Sequence, residues 1–358
     1  MKINLTLLGA KLTGGSFNLM EVAHRLGVRG YDVVVTTTGE LHDLDWFTKT
    51  RTPAFDINIT PLVGTLAYRI YRRVLRGTIL TPFPDVEMKD LMRSIPNCDI
   101  NIATTWPTAF SVFRSGKGVP LYYFQHLDSL FSKDLVSNTR HDEALYLPIQ
   151  KYVCSTWLKE RTEERLKIKV NGVLTAGIDR SVYHPQIRQN KKIKILSLGR
   201  KVEWKGFSEL QQAMAALYKK NKNIEWIVYS SHDTPKSTVE APFTLVKSPY
   251  GKQLADLYAQ CDIVVNPSWH EGFAQPALEG MASGCAVVTT PYGAEDFAKD
   301  KQNCLVIDAK NSKAIENAIQ LLLDDSVLRE GVAAGGLETA QQFYWDNIID
   351  QWEKVLAK

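Results

Sequence analysis

The sequence lacks the features that mark several classes of protein. Its 358 residues include only five cysteines, which form no CxxC pair and no short Cys/His spacing, so neither a zinc site nor a disulfide framework is predicted. The 43 basic residues barely exceed the 39 acidic ones, and a net charge of +4 is far below that of a dedicated nucleic-acid binder. We therefore predict reduced thiols and no nucleic-acid partner.

Long apolar runs are also missing. No stretch approaches the roughly 20 apolar residues that a membrane-spanning helix requires, so any membrane contact must be peripheral. The short opening run, 3–8, is followed by Lys11, Thr13 and two glycines instead of a small-residue cleavage site, and it predicts a first strand. The sequence therefore predicts a cytoplasmic protein and leaves open a peripheral attachment at the inner face of the membrane.

One segment is suited to such an attachment. Residues 67–76 carry Arg69, Arg72, Arg73 and Arg76 with aromatic and aliphatic residues between them. On a helix this pattern gives a basic, partly aromatic surface that could meet anionic lipid headgroups. An ordinary solvated helix fits the same pattern, and the sequence leaves the two alternatives open.

Short apolar runs rich in β-branched residues alternate with segments of helical periodicity along the chain. This alternation is typical of βα units that stack onto a parallel sheet, so the predicted class is α/β. The predicted strands are 2–8, 32–37, 99–103, 121–125 and 151–154 in the first half, and 193–198, 224–229, 243–246, 262–266 and 286–290 in the second.

A polar segment without any apolar run, 183–192, separates the two halves. We predict an N-terminal domain over 1–182, a C-terminal domain over 183–345, and a last helix, 346–358, that returns to the first domain. Both domains are expected to be Rossmann-like, doubly wound sheets that face a central cleft, beyond the carboxyl ends of their strands. Residues 38–85 show no clear periodicity and are predicted to be an insertion.

The first motif with chemical content follows the strand at 193–198. Gly199-Arg200 ends this strand, and Lys205-Gly206 stands at the start of the next helix. A strand-to-helix turn presents unpaired backbone N–H groups and a positive helix end, so two added cations make a site for a diphosphate. A solvated basic turn is the alternative reading of this motif alone.

A second motif follows the strand at 262–266 and contains two carboxylates. Pro276 fits the first position of a helix, which places Glu271 in the loop before that helix and Glu279 near its first turn. Carboxylates at these positions could accept hydrogen bonds from the vicinal hydroxyls of a sugar and of a ribose. The alternative is structural: Glu279 then favours the helix dipole and Glu271 is solvated.

Together the motifs resemble a known family. Gly199-Arg200-x4-Lys205-Gly206, Glu271-Gly-Phe-x5-Glu279-Gly and the run 281–288 are similar to the retaining family-4 glycosyltransferases, which have the GT-B fold. The likeness is specific in the second half of the chain. In the first half it is looser and rests on Gly14-Gly15 and on Gln125-His126.

The resemblance implies roles for individual residues. Arg200 and Lys205 would bind the donor diphosphate, Glu279 would contact the nucleotide ribose, and Glu271 would lie by the donor sugar. His126 would line the reaction centre from the N-terminal side. The implied donor-binding set is Gly15, Arg200, Lys205, Gly272, Phe273, Ala274 and Glu279, and the implied catalytic set is His126, Arg200, Lys205 and Glu271.

The resemblance also implies an activity. The enzyme would move a sugar from a nucleoside-diphosphate sugar to a saccharide or lipid-linked acceptor, in the synthesis of cell-surface polysaccharide or glycolipid. Arg200, Lys205 and a helix N-terminus would stabilise the leaving diphosphate, and this electrostatic contribution requires no metal and no cofactor. Retention would follow a front-face route, as in the family.

Other interpretations of the sequence are weaker. Asp43-Leu-Asp45 has the DxD spacing of metal-dependent transferases, but it follows no convincing strand and lies beside Trp46 and Phe47, as in a surface loop. A nicotinamide-dependent dehydrogenase would need a G-x-G-x-x-G turn, which is missing after both first strands. A sugar-nucleotide epimerase of the GT-B fold and a non-catalytic sugar-nucleotide-binding protein remain as alternatives.

Overall fold

The computed structural model of the protein describes residues 1–60, 85–131, 133–230 and 235–357. The chain forms two compact units, which are described one at a time. Unit 1 consists of Met1–Cys154, Lys159–Val173 and Trp352–Lys358, and unit 2 consists of Ser155–Leu158 and Leu174–Gln351. The basic segment predicted at 67–76 lies outside the described residues.

Unit 1 is built on a parallel sheet of seven strands in the order β3-β2-β1-β4-β5-β6-β7. The strands are β1 (Lys2–Leu7), β2 (Asp32–Thr37), β3 (Asp56–Ile59), β4 (Ile100–Ala103), β5 (Val119–Phe124), β6 (Gln150–Val153) and β7 (Gly172–Val173). The helices that begin in this half of the chain are α1 (Gly14–Val28), α2 (Asp45–Thr48), α3 (Asp85–Ser94), α4 (Trp106–Ser115), α5 (Asp128–Phe131), α6 (Leu135–Leu145) and α7 (Thr156–Leu166).

Local sequence explains the first βα unit. Residues 3–7 of β1 are all buried, as expected for a central strand of a parallel sheet, which is covered on both faces. Thr13 caps α1, because its hydroxyl accepts a hydrogen bond from the backbone N–H of Ser16 at 3.1 Å. Gly30, at φ +92°, ends the helix where the sequence predicts a stop.

Unit 2 is built on a second parallel sheet, of six strands in the order β10-β9-β8-β11-β12-β13. Its strands are β8 (Ile193–Leu198), β9 (Ile224–Ser230), β10 (Thr244–Lys247), β11 (Ile263–Asn266), β12 (Ala286–Thr289) and β13 (Leu305–Val306). Its helices are α8 (Phe207–Lys220), α9 (Lys252–Gln260), α10 (Gln275–Ala282), α11 (Ser312–Asp324), α12 (Ser326–Gln341) and the start of α13 (Trp345–Leu356). Trp226 and Phe207 stack in its core with ring centroids 5.5 Å apart.

The two parallel sheets confirm the α/β prediction, and the structure corrects one part of it. The stretch 38–85 is not wholly an insertion, because Asp56–Ile59 forms β3 and pairs in parallel with β2. This edge strand is short and only half-buried, so it carries too few apolar residues to show a period in the sequence. The two-residue strands β7 and β13 escaped prediction for the same reason.

The predicted linker has no regular secondary structure, but it is anchored to unit 2. Arg188 donates to the carbonyl oxygens of Ala259, Ser283 and Gly284 at 2.7–2.9 Å. These carbonyls lie at the ends of α9 and α10, where backbone acceptors lack partners within the helix. Among the described residues, no helix is long and apolar enough to cross a bilayer.

Both sheets reverse their strand order at the same relative position. In unit 1 the reversal falls between β1 and β4, and in unit 2 between β8 and β11. In open α/β sheets, ligands bind at the carboxyl ends of the strands beside such a reversal. The segments that follow these four strands are therefore where each unit is expected to bind a ligand.

Candidate functional site

Arg200 stands at the reversal point of unit 2, directly after β8. The residue before it must be glycine, since a Cβ on Gly199 would lie 2.3 Å from Val228 Cγ1. The Nε atom of Arg200 is buried and has no hydrogen-bond partner in the described part of the chain. A buried donor of a cation without an acceptor is costly, so this position favours an anionic ligand.

Lys205 ends a short 3-10 turn, Glu203–Lys205, that lies against the segment after β11. Gly206 closes the turn at φ +64°, and a Cβ there would lie 2.1 Å from the carbonyl oxygen of Pro267. The backbone N–H of Trp269 donates to the carbonyl of Trp204 at 2.7 Å. Glycine at 206 thus allows the two motifs to touch through their backbones.

The structure brings Lys205 and Glu271 together as an ion pair. Lys205 Nζ lies 2.7 Å from both carboxylate oxygens of Glu271, and Ser268 Oγ donates to Glu271 Oε1 at 2.6 Å. Only 18% of the lysine side chain and 11% of the glutamate side chain are exposed. The cation predicted for the diphosphate and the carboxylate predicted for the sugar are therefore adjacent and neutralise each other in this structure.

Glu279 occupies a pocket of tyrosines. It is the fifth residue of α10, close to the first turn, where the sequence predicts it, and it is buried. Burial raises the pKa of Glu279 to about 7, although hydrogen bonds from Tyr258, Tyr183 and Gln275 act in the opposite direction. This carboxyl group is therefore poised to change its charge near neutral pH.

The three loop residues between Glu271 and α10 play different parts. The Phe273 ring packs on Phe297 with ring centroids 5.6 Å apart, so its side chain belongs to the core. The backbone N–H of Ala274 donates to the carbonyl of Gly293 at 2.8 Å. Gly293 adopts φ +89°, and a Cβ there would lie 2.9 Å from Glu271 Cβ. These contacts fix the loop that carries Glu271. Gly272 is the next residue of this loop.

The candidate residues of unit 1 lie at the carboxyl edge of its sheet. Gly15, in the first turn of α1, lies against Gln125, whose side-chain amide donates to the Gly15 carbonyl at 3.2 Å. His126 follows Gln125 and lines a cavity of about 240 Å³ beside the reversal between β1 and β4. His126 Nε2 lies 3.2 Å from Asp128 Oδ1.

The carboxylates of the DxD sequence have local partners. The Asp43 side chain accepts a hydrogen bond from the Glu40 backbone N–H at 3.0 Å, and Asp45 pairs with Lys49 at 2.7 Å. Among the described residues, no group of three or more His, Cys, Asp or Glu side chains is arranged to hold a metal ion. The predicted metal-independent chemistry remains a prediction.

Several residues of the sites were missed by the sequence analysis. Ser268, Tyr183, Tyr258 and Asp128 contact candidate residues, and His141 contacts Asp128. Asp128 could have been noticed because it stands two residues after His126. The tyrosines gave no signal, since buried tyrosines in a core are common and only the fold places them beside Glu279.

Part of the chain matches a family model. Residues 192–325 match the family described as glycosyl transferases group 1. The capsular polysaccharide biosynthesis glycosyltransferase CapM of Staphylococcus aureus is 28% identical over 181 residues, which are 48% of this chain and 47% of that protein. A D-inositol 3-phosphate glycosyltransferase of Stackebrandtia nassauensis is 34% identical over 108 residues, 30% of this chain and 24% of that protein. The matches thus span about half or less of these relatives.

Solved structures of low sequence identity match the whole chain. Sucrose-phosphate synthase from Thermosynechococcus elongatus has a TM-score of 0.79 at 16% identity and covers 100% of this chain and 98% of its own. HepE of Anabaena, solved with UDP-glucose, has a TM-score of 0.79 at 16% identity over 100% of this chain and 99% of its own. At such identity the likeness establishes the fold. Residues 192–325 of the chain thus resemble the glycosyl transferases of group 1, and the chain as a whole has the GT-B fold.

Proposed function

We propose that the protein is a retaining glycosyltransferase of family 4. In this proposal it transfers a sugar from a nucleoside-diphosphate sugar to a saccharide or lipid-linked acceptor, in the synthesis of a cell-surface polysaccharide or glycolipid. Two relatives have names that indicate such acceptors. One is CapM, and the other is an N-acetylgalactosaminyltransferase of Campylobacter jejuni that acts on a diphospho-undecaprenol substrate and is 28% identical over 177 residues. The acceptor class rests on this similarity.

One observation supports the donor assignment most strongly. The buried, unpartnered Nε of Arg200 and the Lys205–Glu271 pair follow the two strands between which the sheet order of unit 2 reverses. That position is where a doubly wound sheet binds nucleotide ligands, and the charges there suit a diphosphate next to a hydroxylated group. Unit 2 is thus the proposed donor site.

The proposed chemistry uses the two cations in different ways. Negative charge grows on the diphosphate as its bond to the anomeric carbon breaks, and the Nε of Arg200, which has no hydrogen-bond partner among the described residues, is available to stabilise it. Lys205 must divide its interaction between Glu271 and the diphosphate. As the phosphate draws the ammonium group, Glu271 gains acceptor capacity for a hydroxyl of the donor sugar.

The remaining roles follow from the same proposal. Glu279 accepts hydrogen bonds from the ribose, and the backbone of Gly272 to Ala274 approaches the donor. In unit 1, Gly15 is the proposed donor-binding residue and His126 the proposed catalytic residue. No metal or other cofactor takes part, and the enzyme works in the cytoplasm, with peripheral contact to anionic lipid through 67–76 as a further part of the proposal.

The test begins with binding to the full-length chain. Thermal unfolding with UDP, GDP, dTDP and ADP identifies the nucleotide, because a ligand of the folded state raises the transition temperature. The matching sugar nucleotides are then offered with and without a panel of saccharide and polyprenol-linked acceptors, and the release of nucleoside diphosphate and the product anomer are measured. Acceptor-dependent release with retained configuration is expected.

Each other outcome contradicts the proposal in its own way. Turnover of the sugar nucleotide without an acceptor would indicate an epimerase. Tight nucleotide binding without turnover across the whole panel would indicate a binding protein. If no nucleotide raised the transition temperature, the proposed role of Arg200 and Lys205 would be contradicted.

A further inference from the structure

A cluster of polar side chains, of which His141 is buried and Asp128 and Ser137 are partly buried, surrounds His126 in unit 1. Asp128 Oδ1 is 3.2 Å from His126 Nε2 and 3.3 Å from His141 Nδ1. The other carboxylate oxygen, Oδ2, accepts a hydrogen bond from Ser137 Oγ at 3.0 Å. One carboxylate therefore contacts two imidazoles, and its second oxygen is held by a hydroxyl.

The carboxylate of this cluster is charged across the physiological range. Burial acts to raise the pKa of Asp128, but the adjacent imidazoles of His126 and His141 outweigh it and hold that pKa well below its usual range. Both rings are also held by aromatic neighbours. The His126 ring meets the Phe131 ring edge-on at 5.5 Å, and the His141 ring meets the Phe124 ring edge-on at 6.0 Å.

A fixed carboxylate decides which nitrogen of each neutral imidazole carries the proton. A nitrogen that faces the carboxylate must present N–H, because two lone pairs at this distance would repel each other. The proton of His126 then sits on Nε2 and that of His141 on Nδ1. The opposite nitrogens, His126 Nδ1 and His141 Nε2, are left as hydrogen-bond acceptors.

The cavity that these histidines line also contains a donor. Tyr122 and His141 both line it, and the Tyr122 hydroxyl and both ring nitrogens of His141 are buried without a hydrogen-bond partner among the described residues. His141 Nδ1 lies beside the Asp128 carboxylate, so Nε2 is the nitrogen left for a ligand. A native fold rarely leaves such atoms unpaired without a reason. A hydroxyl group can accept from the phenol and donate to the imidazole, whereas a carboxylate or a phosphate has no proton to donate and is repelled by Asp128.

We propose that Asp128 is a positioning residue that fixes the tautomers of His126 and His141, so that the cavity of unit 1 binds the hydroxyl groups of an uncharged sugar ring of the acceptor. The assignment of that ring to the acceptor rests on the proposed transferase function. The fixed tautomers and the cavity do not rest on that function, so they can be tested separately from it.

The first experiment requires no activity and no variant of Asp128. The full chain is labelled with ¹⁵N-histidine, and long-range ¹H–¹⁵N spectra are recorded at a pH where imidazole is neutral, with assignment by His126→Gln and His141→Gln. His126 is expected with its proton on Nε2 and His141 with its proton on Nδ1. The opposite tautomer at either ring would overturn the proposal, whether or not the protein is a transferase.

The second experiment removes one oxygen atom from the cavity. Tyr122→Phe deletes a hydroxyl that has no hydrogen-bond partner in the described part of the chain, so the free energy of unfolding should not fall. The KM of the acceptor should rise about tenfold through the loss of one hydrogen bond. The KM of the donor should stay unchanged. Tyr152→Phe is the matched control, since the Tyr152 hydroxyl donates to Gln150 at 3.0 Å outside this cavity. An unchanged acceptor KM in Tyr122→Phe would refute the hydroxyl site.

The third experiment neutralises the carboxylate. Asp128→Asn should mix the two tautomers of both rings and lower kcat about 100-fold, because a misoriented group costs that much, while nucleotide affinity in unit 2 is retained. Asp134→Asn is the control, because Asp134 caps α6 in the same unit and asparagine caps equally well. Normal kcat and unchanged tautomers in Asp128→Asn would contradict the positioning role. If this variant does not fold, the spectra of the unaltered chain still decide the matter.

Discussion

At the scale of single residues, the two cations of unit 2 differ in what they must give up to bind a phosphate. Arg200 Nε has no partner in the described part of the chain, whereas Lys205 is held by Glu271 at 2.7 Å and Glu271 is held by Ser268. Substitution at these two positions therefore probes different things. Loss of Arg200 removes an interaction with the ligand, and loss of Lys205 also removes one that holds the fold.

Arg200→Ala should lower turnover roughly 10²–10³-fold, as expected when one preorganised donor to developing charge is removed. The free energy of unfolding should change little, because the side chain forms no ion pair among the described residues. Steady-state kinetics and denaturant unfolding of the same preparation test both statements. Near-normal turnover in Arg200→Ala would contradict the assignment of Arg200 to the diphosphate.

Lys205→Ala should lower turnover by a similar factor and also destabilise the fold by about 1–3 kcal/mol, because it leaves the Glu271 carboxylate buried without its cation. Adding Glu271→Gln to this variant should restore much of the stability but none of the turnover. A double-mutant cycle in urea measures the coupling. Independent effects of the two substitutions on stability would show that the ion pair does not form in solution.

Glu279 should make nucleotide binding depend on pH. Its pKa is raised to about 7, and the charged carboxylate is the stronger acceptor for ribose hydroxyls, so affinity should rise about tenfold as the pH increases through this value. In Glu279→Gln the rise should vanish. The phosphate groups of the nucleotide titrate equally in both proteins, so the difference between their calorimetric profiles isolates Glu279.

The same residue should affect stability with a defined sign. Since the folded pKa of about 7 exceeds the ordinary 4.5, the folded state holds the proton more tightly, and this contribution is complete below pH 4.5 and is lost as the pH rises to about 7. Glu279→Gln should flatten that part of the profile. A steeper fall in the variant would mean that the carboxyl group is not buried as described.

At the scale of elements, the geometry of the proposed donor site depends on how closely the turn after β8 approaches the loop after β11. The 3-10 turn after β8 carries Lys205, the loop after β11 carries Glu271, and Gly206 is the point of contact between them. Neither connection is stabilised by a long helix or strand of its own. Their relative position follows from the sheet below and from the absence of a side chain at 206.

Gly206→Ala should lower the free energy of unfolding more than the same substitution at another glycine with a left-handed backbone. At Gly116, which has φ +65° and open space around its Cβ position, alanine should cost about 1–2 kcal/mol for the left-handed backbone alone. At Gly206, with φ +64°, the new methyl group also meets the Pro267 carbonyl at 2.1 Å, so the loss of stability should be larger and turnover should fall with it. Equal stability losses in the two variants would show that the contact with Pro267 is not tight.

At the scale of the whole molecule, the chain is two doubly wound sheets, each with its own reversal of strand order. Unit 2 carries the charges proposed for the donor, and unit 1 carries the cavity with two histidines and Tyr122. Binding of nucleotide and binding of acceptor are therefore expected to respond to different sets of substitutions. Variants that alter both together would indicate damage to the fold and not to a site.

Under the proposed function, sugar transfer should survive EDTA, because Arg200 and Lys205 are assigned the positive charge that a divalent ion supplies in other transferases. The measurement is the rate of nucleoside diphosphate release before and after chelation. Asp43→Asn serves as a check, since it should leave the rate unchanged in either condition. Loss of activity in EDTA that is restored by Mg²⁺ or Mn²⁺ would contradict this prediction and favour a metal site at Asp43 and Asp45.

The amino-acid sequence by itself determined the class of the fold and the location of the motifs that are proposed to bind the donor. Hydrophobic periodicity and helix signals are local, so β8, the turn at Gly199 and the start of α10 at Pro276 could be predicted from neighbouring residues. The edge strand β3 and the two-residue strands could not, because their pairing depends on residues far away in the chain.

Only the tertiary structure decided what each candidate residue contacts. Lys205 and Glu271 are 66 positions apart, and their pairing exists because β8 and β11 are neighbours in the sheet. The tyrosine pocket that raises the pKa of Glu279, and the carboxylate that joins His126 to His141, arise in the same way. Ion pairing and desolvation act over a few ångströms in space, and spacing along the chain does not measure that distance.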